Sequence, residues 1–142
     1  MKRLSIQLMC LLYLIAPTAA LADEPITLRE IMQGLRDSLV TVTDGLLTDD
    51  FELVARGALE IAKHPQIPAE QVQRVAQELG PEMPAFKQFD TRVHDLSLEI
   101  SAAAAAQDRI AAISAYQKMI EGCFACHTTY KARVAEVLRN ND

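Results

Sequence analysis

The sequence predicts an all-α protein whose helices form an antiparallel four-helix bundle. No stretch alternates apolar and polar residues as a half-buried strand would, whereas apolar residues recur every three or four positions from residue 27 to residue 139. Glycine is scarce and tryptophan is absent. Four amphipathic segments joined mostly by short connections are typical of such a bundle, because each segment has one apolar stripe to bury.

The N-terminal segment is expected to be a secretory signal peptide, residues 1–22. Lys2 and Arg3 precede an apolar run over residues 4–16, and the segment ends in Ala-Leu-Ala, which suits cleavage before Asp23. The apolar run is too short to span a bilayer comfortably. We therefore expect export to the periplasm without a membrane anchor after cleavage. The alternative is an uncleaved segment retained as an anchor.

The expected mature chain, residues 23–142, is one acidic domain. The full sequence has 14 Lys and Arg residues against 19 Asp and Glu residues. Loss of Lys2 and Arg3 leaves 12 basic residues and a net charge of −7. This charge argues against a nucleic-acid partner, because the phosphates would be repelled. It allows a basic protein partner.

The first two helices have recognisable ends. A capping box formed by Thr27 and Glu30 predicts a first helix from Thr27 to about Leu47. The second helix is expected to follow the acidic pair at residues 49–50 and to stop before Pro65. The apolar stripe of the first helix consists of Leu28, Ile31, Met32, Leu35, Leu39, Val42 and Leu46.

The other two long helices follow a proline-rich connection over residues 65–84, which has room for a short helix over residues 70–79. A third helix is expected after Pro84, running into an alanine-rich segment that favours helix. The fourth follows a corner at Gln107 and ends near Arg139. Its predicted apolar stripe consists of Ile110, Ile113, Tyr116, Ile120, Cys123, His127, Tyr130, Val134 and Val137.

The segment CFACH, residues 123–127, carries the clearest chemistry. On a helix Cys123, Cys126 and His127 share one face, because their positions are i, i+3 and i+4. Two thiols one turn apart can add to the vinyl groups of one porphyrin, and the adjacent imidazole then falls beneath the iron. The remaining cysteine, Cys10, leaves with the expected signal peptide. The sequence therefore predicts one covalent haem c with His127 as a metal ligand.

Two other uses of the motif stay open. A redox-active dithiol normally opens a helix after a strand, where the helix N-terminus lowers the thiol pKa. Here the cysteine pair lies deep inside a predicted helix. A structural zinc ion needs four ligands, and only His64 or His94 could join the motif. Both uses explain the motif less well than haem attachment does.

The signal peptide, the four predicted helices and the C-terminal CFACHTTYK together make the chain resemble the cytochrome c-prime class, the class II c-type cytochromes. The resemblance covers essentially the whole mature chain, mostly as a pattern. It implies haem attachment on the last helix of a bundle, and it allows a homodimer. Members usually have arginine four residues after the haem histidine. Here that position is Lys131, which supplies a positive charge but cannot form the paired hydrogen bonds of an arginine guanidinium.

The resemblance also puts a first-helix residue on the distal side of the haem. Antiparallel packing brings the start of the first helix beside the end of the last, with Met32 within about a turn of the level of His127. The family's usual spacing from its arginine, here Arg29, points to Gln33 instead. We expect Met32 to be the second metal ligand. Arg29 is expected either to pair with a haem propionate, as family first-helix arginines do, or to be a surface charge.

Other residues compete for these roles. On the predicted apolar stripe, Met32 could equally be a core methionine. His64, which precedes a proline, and His94 are the rival iron ligands. Tyr116 and Tyr130 lie on the haem face of the last helix, where packing is the expected role.

These features predict a periplasmic cytochrome that carries single electrons between redox partner proteins and is not an enzyme. A methionine thioether on the iron would give a six-coordinate, low-spin haem with a raised potential. An open distal side would instead suit a small gas such as nitric oxide, and gas binding is the alternative function. The sequence has no recognisable acid–base pair, nucleotide-binding loop or distal histidine–arginine pair of a peroxidase.

Overall fold

The computed structural model describes residues 26–139, and this part of the chain is helical and contains no strand. The helices are α1 (Leu28–Thr48), α2 (Phe51–Ala62), α3 (Ala69–Leu79), α4 (Met83–Ala105) and α5 (Arg109–Arg139), with a 3₁₀ turn (Gly80–Glu82) between α3 and α4. The predicted all-α class is confirmed for these residues. The expected signal peptide, its cleavage point before Asp23 and Cys10 lie outside the described residues.

Local sequence signals account for the helix ends. The Thr27 hydroxyl accepts a hydrogen bond from the backbone N–H of Glu30 at 3.2 Å, and the Glu30 carboxylate accepts one from the backbone N–H of Thr27 at 2.8 Å. The predicted capping box is therefore confirmed. The Asp50 carboxylate caps α2 by accepting from Leu53 N–H at 2.9 Å. Pro84 lies in the first turn of α4 rather than before it, because a first-turn proline removes no helical hydrogen bond.

The helices bury their apolar stripes against successive neighbours. Helix α1 packs on α2, α2 on α4, and α4 on α5, while the short α3 packs on α5. None of the helices between residues 26 and 139 combines the length and hydropathy of a transmembrane segment.

The buried apolar side chains of the described chain form two clusters. The central cluster draws on α1, α2, α4 and α5 and contains Val42, Val54, Ala58, Ile61, Leu96, Ile100, Ala104, Ala115 and Met119. The end cluster draws on α1, α3 and α5 and contains Leu28, Val75, Leu79, Tyr130 and Val134. Helices α1 and α5 both contribute buried residues to each cluster, so together they join the two parts of the core.

The apolar stripe predicted for the first half of α5 is wrong at Ile110 and Ile113, whereas Tyr116 packs against the central cluster. Ile110 is 77% exposed and Ile113 is 36% exposed, whereas Ala112 and Ala115 are buried. Small residues face inward here because α5 packs against α4, whose alanine-rich end also buries Ala104. A pattern read from large apolar side chains misses such a contact, since close helix packing favours alanine at the interface.

Gly45 lies where the end of α1 closely approaches the start of α2. A β-carbon added at Gly45 would lie 2.8 Å from the backbone nitrogen of Val54 and 2.9 Å from the carbonyl oxygen of Asp50. Neither backbone atom can move aside without shifting a helix. Gly34, in the same helix, has open space where its β-carbon would be. Substitutions at the two glycines can therefore be compared, with Gly34 as the control for Gly45.

We predict that Gly45→Ala lowers the free energy of unfolding by about 1–3 kcal/mol, because the added methyl group overpacks the α1–α2 contact. Gly34→Ala should raise it by about 0.5–1 kcal/mol, since alanine loses less entropy than glycine when a helix forms. Urea denaturation followed by circular dichroism measures both. Equal effects at the two positions would contradict the close approach of the helices at Gly45.

Candidate functional site

The thiols of Cys123 and Cys126 lie on α5 where the two clusters meet. Both side chains are half-buried and neither forms a disulfide. Cys123 packs against the central cluster, and Cys126 packs against the end cluster. The two sulfurs therefore each lie beside apolar side chains, one in each cluster.

The surroundings of the two thiols keep them protonated. Burial raises the pKa of the Cys123 thiol above its usual value. Burial is also the main cause of the raised pKa of Cys126, and the neighbouring Cys123 and the carboxylate of Asp90 raise it further. This is the opposite of an activated dithiol, in which nearby positive charge or a helix N-terminus stabilises a thiolate.

An aromatic group lies one turn beyond Cys126 on α5. Tyr130 is 4% exposed. The ring of Phe86 meets it edge-on with 5.5 Å between ring centres, and the ring of Phe89 lies 6.0 Å away at a steep angle. These three rings hold α4 and α5 together beside the motif, which agrees with the packing role expected for Tyr130.

The other residues of the motif region face outward. His127, Lys131 and Phe124 are exposed, and 69% of Phe124 is accessible to solvent. His127 follows Cys126 directly, so its imidazole lies at the edge of the half-buried thiol pair. Lys131 lies one turn further along the same side of α5, as the sequence predicted.

Met32 is not a core residue, and its expected burial on the stripe of α1 is wrong. It is 40% exposed and belongs to neither cluster. The centre of the stripe is formed by Leu28 and Ile31, both buried, and Met32 lies one 100° step beyond Ile31, at the edge of the stripe. Arg29 and Gln33 are exposed beside it. The structure thus brings Met32 to the helix surface as an unburied thioether.

A long-range hydrogen bond joins α1 to α5. The hydroxyls of Thr43 and Tyr116 lie 2.8 Å apart in a partly buried position. The Thr43 hydroxyl also lies 2.8 Å from the carbonyl oxygen of Leu39, to which it donates. Its single proton is thereby used, so Tyr116 is the donor in the bond between the helices. Nothing in the sequence indicates this pair, because 73 residues separate its members.

A second contact between α1 and α5 lies where the end of α1 meets the start of α5. Asp49, which ends α1, forms an ion pair with Arg109, which opens α5. This ion pair lowers the pKa of the Asp49 carboxyl, chiefly through the hydrogen bond from the guanidinium.

The two rival histidines differ in their surroundings. His64, at the end of α2, is mostly buried, with Nδ1 2.8 Å from the carbonyl oxygen of Pro65 and Nε2 3.5 Å from the Asp90 carboxylate. His94 is more exposed and contacts its own neighbour Asp95 at 3.0 Å. Asp90 also raises the pKa of Cys126. His64 is therefore linked through Asp90 to the neighbourhood of the motif, a connection that the sequence did not indicate.

Comparisons with protein-family models, with curated proteins and with solved structures find no match. Residues 26–139 also contain no group of three or more His, Cys, Asp or Glu side chains placed to hold a metal ion. A haem iron, by contrast, takes only one or two ligands from the protein.

We predict that, in the chain produced without haem, both thiols react with iodoacetamide only at a higher pH than an ordinary cysteine requires. The reason is that burial raises both pKa values, so less thiolate is present at a given pH. Alkylation followed by mass spectrometry across a pH series measures this. Rapid modification near neutral pH would favour the dithiol interpretation instead.

Proposed function

We propose that this protein is a periplasmic mono-haem c-type cytochrome of the cytochrome c-prime class that carries single electrons between redox partner proteins. The observation that carries the proposal is the position of the C-x-x-C-H motif, whose two half-buried, protonated thiols lie at the junction of two apolar clusters. A thioether bond from each sulfur would use both cysteines of the described chain.

The proposal includes an antiparallel arrangement of α1 and α5, and three contacts support it. Asp49 pairs with Arg109, Thr43 with Tyr116, and Leu28 shares the end cluster with Tyr130. As the residue number on α1 falls from one contact to the next, the number on α5 rises by a similar amount. Two helices in contact behave in this way only when their directions oppose each other.

The same register supports Met32 as the second iron ligand. Met32 lies eleven residues before Thr43, and His127 lies eleven residues after Tyr116. Eleven residues are about three helical turns, or roughly 16 Å, and return almost to the same face of the helix. In this arrangement Met32 and His127 would stand at one level along the two helices.

The exposure of Met32 agrees with a ligand role better than with a core role. A buried methionine would be held by apolar contacts, whereas Met32 lies outside both clusters. Among the rivals, Nδ1 of His64 lies 2.8 Å from the carbonyl oxygen of Pro65, and His94 lies beside Asp95. Met32 is therefore the available soft donor at the level of His127.

The bound haem would supply an iron that cycles between the ferrous and ferric states. The chain's own residues bind and tune it. Cys123 and Cys126 would hold the group covalently, and His127 and Met32 would be its two protein ligands, whose chemistry influences the potential. Tyr130 and the end cluster exclude water from one side. Arg29 and Lys131 are the exposed cations near this level and are suited to the carboxylates of the propionates.

Covalent attachment is the first test of the proposed function. We predict that haem stays with the polypeptide in acidified organic solvent, because thioether bonds survive denaturation. Cys123→Ser and Cys126→Ser should each leave attachment through one bond, and the double variant should release the haem. Mass spectrometry and absorbance of the extracted chain measure this. A wild-type chain that loses all its haem on extraction, or that never carries one, would refute the proposal.

Ligation by Met32 is tested separately. We predict that Met32→Ala gives the ferrous protein new affinity for carbon monoxide and lowers its reduction potential, because the thioether no longer occupies the iron. Met119→Leu is the matched control, since this methionine is fully buried and its sulfur lies 3.1 Å from the Ser97 hydroxyl, far from the proposed iron site. Carbon monoxide titration and potentiometry measure both variants. A Met32→Ala protein that behaves like Met119→Leu would refute ligation and direct attention to His64.

A further inference from the structure

The guanidinium of Arg74, on α3, is buried without an acceptor for one of its N–H groups. Its Nε atom is inaccessible to solvent and has no hydrogen-bond partner among residues 26–139. The Glu70 carboxylate lies 3.9 Å from Nη2 of Arg74, which is beyond hydrogen-bond distance. Buried polar groups are almost always paired in folded proteins. The Nε–H group of Arg74 therefore indicates an acceptor that residues 26–139 do not supply.

Arg133 of α5 shows the contrast, because its guanidinium has acceptors in the protein. It lies 2.9 Å from the Glu82 carboxylate and 3.4 Å from the Glu78 carboxylate. Arg29 is exposed, so water can accept from its donors. Within the described part of the chain, a buried arginine donor without an acceptor is found at Arg74.

Contacts of α3 place Arg74 at the end of the region between α1 and α5. One turn before Arg74, the Gln71 side chain accepts a hydrogen bond from the backbone N–H of Leu28, at the start of α1, at 2.8 Å. One turn after Arg74, Glu78 contacts Arg133 of α5. Gln71, Arg74 and Glu78 lie within about 60° of one another around α3. Arg74 is thus on the side of α3 that reaches from α1 to α5.

This end of the region between α1 and α5 adjoins the C-x-x-C-H motif. Val75, which follows Arg74, is buried in the end cluster together with Leu28 and Tyr130. Cys126 packs against the same cluster and lies one turn before Tyr130 on α5. A group bonded to Cys126 would therefore begin one turn from the cluster that Arg74 borders.

The chemistry of a guanidinium favours an anionic acceptor. A positive charge taken out of water is costly unless an opposite charge and hydrogen bonds compensate it. The planar guanidinium matches the two oxygens of a carboxylate, which can accept from Nε–H and a neighbouring Nη–H side by side. Haem carries two such carboxylates on its propionate groups, in the half of the porphyrin away from the vinyl groups that bond to cysteine.

We propose that Arg74 binds one propionate carboxylate of the attached haem through its Nε–H and a neighbouring Nη–H group. The proposal deepens the proposed function and rests on it, because that function supplies the haem. The exposed cations Arg29 and Lys131 remain suited to the other carboxylate. Arg74 differs from them because its Nε–H group is buried and cannot turn to water.

The proposal gives α3 a function. This short helix lies in the connection between α2 and α4, and a four-helix bundle does not require it. Through Arg74 it would close the haem site at one end, while the contacts of Gln71 with Leu28 and of Glu78 with Arg133 hold it in place.

A purely structural role for Arg74 is the alternative. Its aliphatic part would then pack against the end cluster, as long basic side chains often do on apolar surfaces. Such packing normally leaves the charged head in water. It explains the burial of the stem but not the burial of Nε, which is why we favour the carboxylate.

The test uses haem-loaded protein whose haem is isotopically labelled in the propionate carboxylates. We expect Arg74→Gln to shift the infrared band of the labelled carboxylates, because a carboxylate bound to a guanidinium and a hydrated one absorb at different frequencies. The control is Arg56→Gln, which removes the same charge from an exposed position on α2 and should leave the band in place. An unchanged band in Arg74→Gln would show that the guanidinium has another partner and would overturn the proposal.

The reduction potential separates the charge of Arg74 from its hydrogen bonds. Arg74→Gln should lower the potential, because an uncompensated propionate charge favours ferric iron. Arg74→Lys keeps the positive charge and should retain most of the wild-type potential, but it should still shift the labelled band, because lysine has no planar pair of donors. An Arg74→Lys protein whose band matches that of the wild type would contradict the paired hydrogen bonds.

A comparison of stability distinguishes haem binding from packing. In haem-loaded protein Arg74→Met should lower the urea midpoint of unfolding, because the carboxylate loses its partner. In the haem-free chain that carries Cys123→Ser and Cys126→Ser, the same substitution should raise the midpoint, because it removes a buried donor that has no acceptor. Changes in the same direction in both proteins would show that Arg74 acts only on the fold and would overturn the proposal.

These outcomes are separate from those that test the proposed function. Haem extraction reports on Cys123 and Cys126, and carbon monoxide binding reports on Met32, whereas the labelled band reports on Arg74. A protein that retains its haem and shows no response at Arg74 would refute only the propionate contact. A chain that never carries haem would refute the cytochrome and, with it, this contact.

Discussion

The contact between α1 and α5 is the constraint on which the proposed site depends. Its best-defined element is the hydrogen bond from Tyr116 to Thr43, partly buried between the helices at 2.8 Å. One such bond is worth only about 0.5–1.5 kcal/mol, so it does not hold the fold together alone. Its importance is geometric. Because helices are stiff, the register at one level sets the register three turns away, where the proposed function puts Met32 at the level of His127.

The second constraint is the division of the core. Helix α5 carries Met119 in the central cluster and Tyr130 in the end cluster, with the two cysteines between them. A continuous helix thus presents half-buried thiols where the apolar packing changes from one cluster to the other. The same burial that raises the pKa of both thiols leaves less of each as thiolate at neutral pH.

Local signals in the sequence were sufficient to predict where the helices lie. They could not predict which residues far apart in the chain come into contact. The Thr27–Glu30 capping box and the Asp50 cap are short-range interactions, so their residues could be identified directly. The inward face of α5 was assigned wrongly at Ile110 and Ile113, because alanines make the contact with α4. The spacing of apolar residues did not show that Met32 is exposed while Ile31 is buried. The two residues are only one 100° step apart around α1, and that step takes Met32 to the surface.

The site itself was predictable only in part. Cys123, Cys126 and His127 are adjacent in sequence, so helical periodicity suffices to place them on one face. The link from His64 through Asp90 to Cys126, and the pair of Thr43 with Tyr116, join residues far apart in the chain. No periodic pattern encodes such pairs, because they arise from packing among different helices.

The ferric absorption spectrum of the wild-type haem protein at neutral pH tests the register of α1 against α5 most directly. If Met32 faces His127, the spectrum will be low-spin and will include the charge-transfer band of methionine bound to ferric iron. A high-spin, five-coordinate spectrum would contradict the placement of Met32 and would favour gas binding as the function.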